Sequence, residues 1–97
     1  MATTKEYKDF VWEQLNLLDD ISCKKMMGEY LLYYKKVLFC GIYDNRLLVK
    51  IVESNKKYNM SKETPYGKAK LMFLVDNIDD KEELKNIVLD TYNNLLH

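Results

Sequence analysis

The chain has 97 residues, of which 15 are Lys or Arg and 15 are Asp or Glu, and 47% of its residues are hydrophobic. This length predicts one domain with one core, and the hydrophobic fraction can fill that core without a metal or a disulfide. The balanced charge argues against a whole-molecule field for nucleic acid or anionic membranes. No apolar stretch is long enough for a membrane-spanning helix, and the N-terminus ATTKEYKDF carries charges where a secretory signal would need an apolar stretch.

The N-terminal segment has the pattern of an amphipathic helix. Thr3 and Glu6 have the spacing of a capping box, in which each side chain satisfies a free backbone N–H at the start of a helix. Apolar residues then recur at steps of three and four: Tyr7, Phe10, Val11, Leu15 and Leu18. This pattern predicts a first helix that begins at the cap and ends near Leu18.

Three segments rich in aromatic, β-branched and aliphatic residues follow: GEYLLYY (28–34), VLFCGIY (37–43) and RLLVKI (46–51). Lys35-Lys36 and Asp44-Asn45 separate them, which predicts a three-strand antiparallel meander. Apolar residues alternate in the third segment, as expected for a sheet that is covered on one face. Gly41, inside the second segment, predicts a bulge or a close packing contact.

The stretch 53–59 is short and polar, and we interpret it as a small helix. Ser54 has the residue type of an N-cap, and Tyr58 is the one large side chain able to anchor the helix. TPYG, residues 64–67, is a turn sequence because proline presets one dihedral angle and glycine accepts the left-handed conformation.

The C-terminal part predicts a strand and then a helix. LMFLV, residues 71–75, has the composition of a buried strand, and Asp79 or Asp80 caps an amphipathic last helix. The predicted fold is a two-layer α+β domain spanning residues 1–97. Its expected order is a helix, a three-strand antiparallel meander, a short helix, one or two further strands and a C-terminal helix.

The sequence contains no motif that indicates catalysis or cofactor binding. The only histidine is His97, the last residue, so a serine or cysteine nucleophile lacks its usual base. Cys23 and Cys40 form no CxxC motif, and we interpret them as reduced thiols, with Cys40 in the core. We therefore expect no catalytic residues, no metal ligands and no cofactor.

Two predicted turns supply a candidate interaction surface. The planar guanidinium of Arg46 suits recognition of a partner's carboxylate, but we expect it first to form a cross-turn pair with Asp44. A rigid turn would present Tyr66 to a partner, unless that side chain packs on the sheet. The candidate surface comprises Asp44, Asn45, Arg46 and Tyr66.

Lysines form a second candidate site. In a meander, the turn between the first two predicted strands and the end of the third lie at the same end of the sheet, which groups Lys35, Lys36, Lys50, Lys56 and Lys57. This basic cluster is a candidate nucleic-acid site, and a solvated charged rim is the alternative. Lys24 and Lys25 are expected at the opposite end of the sheet.

The run KKMMGEYLLYYKKVLFCGIYDNRLLVKI resembles the N-terminal domain family of the TfoX/Sxy competence regulators, and TPYGKAKLMFLVDNIDDKEEL resembles its downstream part. The likeness extends from Tyr7 to Leu96, with Met27 in place of the usual aromatic residue before Gly28. The resemblance implies a two-layer fold and a bacterial cytoplasmic protein, without agreed catalytic residues. It also implies a link to competence-gene activation alongside the cyclic-AMP receptor protein, with the family's second, C-terminal domain absent.

The leading hypothesis is a non-enzymatic regulatory or adaptor domain that binds a macromolecule, in the first place a protein, through a sheet edge or the two turns. The same edge could pair two copies into a homodimer. The alternatives are nucleic-acid association through the basic cluster and small-molecule binding between sheet and helices. No membrane partner is expected.

Overall fold

Six antiparallel strands form one sheet in the computed structural model, which describes residues 3–96. In chain order the elements are α1 (Lys5–Gln14), β1 (Ile21–Met26), β2 (Glu29–Tyr34), β3 (Val37–Tyr43), β4 (Arg46–Val49), a 3₁₀ helix (Glu53–Tyr58), β5 (Ser61–Glu63), β6 (Met72–Leu74) and α2 (Lys81–Leu95). The order across the sheet is β1-β2-β3-β4-β6-β5. The predicted α+β class is confirmed. Within the described range, no helix is long and apolar enough to cross a membrane.

Two-residue turns join β1 to β4 into consecutive hairpins. The turns are residues 27–28, 35–36 and 44–45, and both residues of each turn have positive φ. This conformation matches the twist of the flanking strands. The predicted meander is therefore confirmed, but it has one more strand, because β1 precedes the three predicted ones.

The turn at Lys35-Lys36 contains strain that a substitution can relieve. Its φ angles, 48° and 68°, are left-handed, where a side chain's Cβ collides with the backbone. We expect Lys36→Gly to raise the free energy of unfolding by about 1 kcal/mol in urea denaturation. Lys24→Gly, within strand β1, should lower it by about the same amount. Equal effects of the two variants would show that the turn is unstrained.

Helix α1 begins and ends at other residues than predicted. Its N-cap is Thr4, whose hydroxyl oxygen accepts a hydrogen bond from the N–H of Tyr7. Thr3 is buried, and its hydroxyl donates to Glu29 Oε1 over 2.7 Å. The predicted capping box of Thr3 and Glu6 is wrong because Glu29 occupies the Thr3 hydroxyl, and the helix already ends at Gln14.

The core lies between the sheet and the two helices, on the side that we call the helical face. Leu32, Cys40, Val49 and Phe73 are directly opposed on neighbouring strands, so they share this face, and all four are buried. The helices contribute Val11, Leu15, Leu84, Ile87 and Val88. Cys40 is thus a core residue as predicted, and burial raises the pKa of its thiol well above the usual range.

The opposite side of the sheet, which we call the loop face, is also partly covered. Leu48 points to this side together with its partners Gly41 and Leu74, and Leu48 is 0% exposed. The prediction of a sheet covered on one face only is wrong at this position. Residues 65–72, in the connection between β5 and β6, lie on the loop face beside β3, an arrangement that local alternation does not reveal.

Polar contacts fix the 3₁₀ helix to α2. The Tyr58 hydroxyl donates to Asp90 Oδ2 over 2.6 Å, so the predicted anchor is present. Burial, the hydrogen bond to Asp90 and nearby negative charge raise the pKa of Tyr58 to about 12. Burial would raise the pKa of Asp90, but hydrogen bonds from Tyr58 and Lys57 outweigh it and the pKa is lowered. Ser54, the predicted cap, instead donates its hydroxyl to the Asp90 carbonyl.

Candidate functional site

Arg46 ties β4 to the chain that follows β5. Its Nη1 lies 2.7 Å from Glu63 Oε1 and donates to the Thr64 carbonyl, while Nη2 donates to the Pro65 carbonyl over 3.2 Å. The expected cross-turn pair with Asp44 is wrong, since the carboxylate that Arg46 binds belongs to Glu63. The flat, forked guanidinium can donate to a carboxylate and two carbonyls at the same time. A cross-turn pair with Asp44 would use only one carboxylate.

A pair of tyrosine rings lies on the loop face beside this arginine. The Tyr43 ring lies over Gly41: a Cβ added to Gly41 would be 2.5 Å from a ring carbon of Tyr43. Only glycine at position 41 leaves enough room for the ring. The close packing contact that the sequence predicted at Gly41 is therefore present. The alternative, a bulge at Gly41, is not observed, because the register shift between β2 and β3 falls at Phe39. The Tyr66 ring centroid is 6.1 Å from that of Tyr43, and Tyr66 is 67% exposed.

A groove of about 540 Å³ opens on the loop face next to the tyrosine pair. Besides the tyrosine pair, its apolar lining consists of Leu38, Cys40, Ile51, Pro65, Ala69, Leu71 and Met72. Lys50 and Lys70 also line it, and neither has an ion-pair partner within residues 3–96. This groove lies on the face away from the helices, unlike the pocket that the small-molecule alternative assumed.

The turn at Asp44-Asn45 is engaged with the N-terminal segment. Asn45 Oδ1 accepts a hydrogen bond from the N–H of Thr4 over 2.9 Å, and the N–H of Asp44 donates to Glu29 Oε2 over 3.2 Å. The structure thus brings Arg46 and the Tyr66 turn together and places the 44–45 turn at α1. The binding role of these four residues stays a prediction.

Two members of the predicted basic cluster are paired with acidic side chains. Lys56 lies 2.9 Å from Glu53 and Lys57 lies 3.1 Å from Asp90. The remaining members have no ion pair among the described residues: Lys35, Lys36 and Lys50. The cluster therefore has less free positive charge than its five lysines suggested, and its binding of nucleic acid stays a prediction.

Strand β1 forms one outer edge of the sheet, and its outward main-chain groups are available. Met26 pairs with Glu29 across a two-residue turn, and such flanking residues exchange hydrogen bonds with each other. Alternate residues therefore bond β2, and the intervening N–H and C=O groups point outward: those of Ile21, Cys23 and Lys25. None of these groups bonds elsewhere within residues 3–96. The other edge, β5, has only three residues.

Apolar and basic side chains flank this edge. Trp12 is 41% exposed and lines a shallow pocket together with Ile21, while Met26 is 46% exposed. Lys24 and Lys25 are exposed on the strand itself. The edge thus combines free hydrogen-bonding groups, apolar surface and positive charge. The sequence analysis missed β1 because its composition is polar. The Met27-Gly28 turn that follows was the one local indication that another strand precedes it.

A family model described as the TfoX N-terminal domain matches residues 13–94. The matched range includes the whole sheet, α2 as far as Asn94 and the groove, and it confirms the resemblance predicted from the sequence. Comparison with curated proteins finds no match. Among residues 3–96, no three His, Cys, Asp or Glu side chains come together in a group that could hold a metal ion.

Proposed function

Because the chain belongs to the TfoX N-terminal domain family, we propose that it is a non-enzymatic regulatory domain of the bacterial cytoplasm that acts by binding a protein partner. The observation that carries the proposal is the free edge of β1. An extended segment of the partner would bond the outward groups of Ile21, Cys23 and Lys25 and extend the sheet by one strand. The family match supports a role in the regulation of competence genes.

The side chains on the edge favour a partner with acidic and apolar residues. Lys24 and Lys25 are exposed on opposite sides of β1, so carboxylates on two consecutive positions of an added strand, which also point to opposite sides, could pair with them. Trp12 and Met26 offer apolar contact beside the same strand. Two copies of β1 would instead bring these lysines close to one another, which favours a different protein over a homodimer.

A pair of proline substitutions tests the edge. We expect Lys25→Pro to weaken partner binding at least tenfold while the protein stays folded, because the lost N–H points outward. Lys24→Pro should instead lower the melting temperature, because its N–H bonds β2. The measurement is capture from native lysate followed by titration of the purified partner, with thermal unfolding of each variant.

The outcomes separate the hypotheses. Retention of every specific partner by Lys25→Pro would contradict strand addition at β1. Binding that weakens steeply between about 50 and 200 mM salt would indicate phosphate contacts and hence nucleic acid, whereas the main-chain bonds of an added strand depend little on salt and its two exposed ion pairs contribute little. Concentration-dependent mass without any other protein would indicate the homodimer.

A further inference from the structure

We propose that the groove on the loop face binds a small organic anion, composed of an apolar or aromatic body and one carboxylate. The site is separate from the β1 edge, because β2 lies between that edge and β3. Its volume of about 540 Å³ falls within the range of small-molecule pockets, roughly 300 to 1,000 Å³. Such pockets are mainly apolar with a few polar groups that orient the ligand, as this lining is.

The charge of the lining selects an anion. Within the part of the chain that the structure describes, residues 3–96, Lys50 and Lys70 are the charged residues of the lining, and no acidic side chain belongs to it. Lys50 is half-buried and both lysines line the groove, so a carboxylate bound there would meet positive charge. A cationic ligand of the same shape would meet like charge.

The aromatic walls select a flat apolar body. The rings of Tyr43 and Tyr66 both line the groove and are inclined by 56° to each other. A second ring can contact them in the offset or edge-to-face arrangements that aromatic pairs prefer.

The walls are held in place without a ligand. Gly41 leaves room for the Tyr43 ring, and Arg46 fixes the carbonyls of Thr64 and Pro65 directly before Tyr66. Little ordering is then required when a ligand binds, which favours affinity for a small molecule. These features together distinguish the groove from an apolar patch of the surface.

Two probes with the same ring system and opposite charge test the proposal: indole-3-acetate and tryptamine. In titrations followed by ¹H–¹⁵N chemical shifts, we expect indole-3-acetate to shift amides of β3, β4 and residues 65–72, with a Kd on the order of 1 mM. Tryptamine should bind at least tenfold more weakly. The double variant Lys50→Gln/Lys70→Gln should remove this preference, whereas Lys24→Gln/Lys25→Gln should keep it.

Several outcomes would overturn the proposal. These are equal binding of both probes, shifts that lie outside the groove, absence of binding at millimolar concentration, and an unchanged preference in the folded Lys50→Gln/Lys70→Gln variant. A short capped Glu-Leu peptide serves as a further arm. Binding of that peptide in the groove without binding of indole-3-acetate would assign the groove to a protein segment instead.

Discussion

Asn55→Ala is expected to lower the free energy of unfolding by about 3 to 5 kcal/mol, because it leaves several buried polar groups without partners. Asn55 is 0% exposed. Its Nδ2 donates to the Lys50 carbonyl and to Thr91 Oγ1, each over 2.8 Å, and its Oδ1 accepts from the N–H of Val52 over 3.2 Å. The loss would be a large part of the total stability of a domain of this size, about 5 to 15 kcal/mol.

Urea denaturation of Asn55→Ala measures the loss, and two other variants locate its origin. Asn86→Ala, at an exposed position of α2, should leave the stability within about 0.5 kcal/mol of the original. Thr91→Val removes one partner and should cost about 1 kcal/mol. A double-mutant cycle should then show coupling between Asn55 and Thr91. A loss below about 1 kcal/mol in Asn55→Ala would mean that water replaces the amide.

The sequence predicted the helix that contains Asn55 but not the importance of this residue. The polar stretch and Tyr58 indicated a short anchored helix, and the structure has one at Glu53–Tyr58. An isolated asparagine in such a stretch is typical of an exposed turn. Its burial depends on Thr91, which lies 36 positions away in α2, and no local pattern reports that contact.

The strands also differ in how well the local sequence predicts them. β2, β3 and β4 are dense in apolar residues and were predicted almost at their observed bounds. β1 is an edge strand in which most side chains are exposed, so the hydrophobic pattern that reveals a strand is weak there. The same exposure makes it the free edge on which the proposed function depends.

The groove could be predicted only in part. The turn sequence drew attention to Tyr66, and Arg46 was recognised as the sole arginine of the chain. The partner of Arg46 is Glu63, 17 positions away, whereas the local expectation was Asp44. Lys70 carried no signal, because a lysine in a loop is ordinarily a solvated side chain. The groove forms only because the β5–β6 connection lies next to β3 on the loop face, and this contact between distant segments leaves no local pattern in the sequence.

Arg46→Ala is expected to lower the free energy of unfolding by about 2 kcal/mol and to release the connection between β5 and β6. Charge-assisted hydrogen bonds of this kind contribute about 1.5 to 3 kcal/mol, and the partial exposure of Arg46 and Glu63 reduces that value. Urea denaturation measures the stability, and hydrogen exchange at the Ala69 amide, which bonds the Tyr66 carbonyl, measures the release.

Matched variants distinguish the contact with Glu63 from a turn contact. Asp44→Asn keeps a side chain that tolerates the left-handed conformation at φ 50° and removes only the charge, so it should leave stability and exchange unchanged. Arg46→Lys should restore less than half of the loss, because one ammonium group cannot bond a carboxylate and two carbonyls together. If Asp44→Asn matched Arg46→Ala, the Glu63 contact would be irrelevant. If the Arg46–Glu63 contact holds the connection in place, Arg46→Ala should also weaken the binding of indole-3-acetate, although Arg46 does not line the groove. Tyr66→Ala removes a side chain that does line the groove, so it tests the binding surface directly.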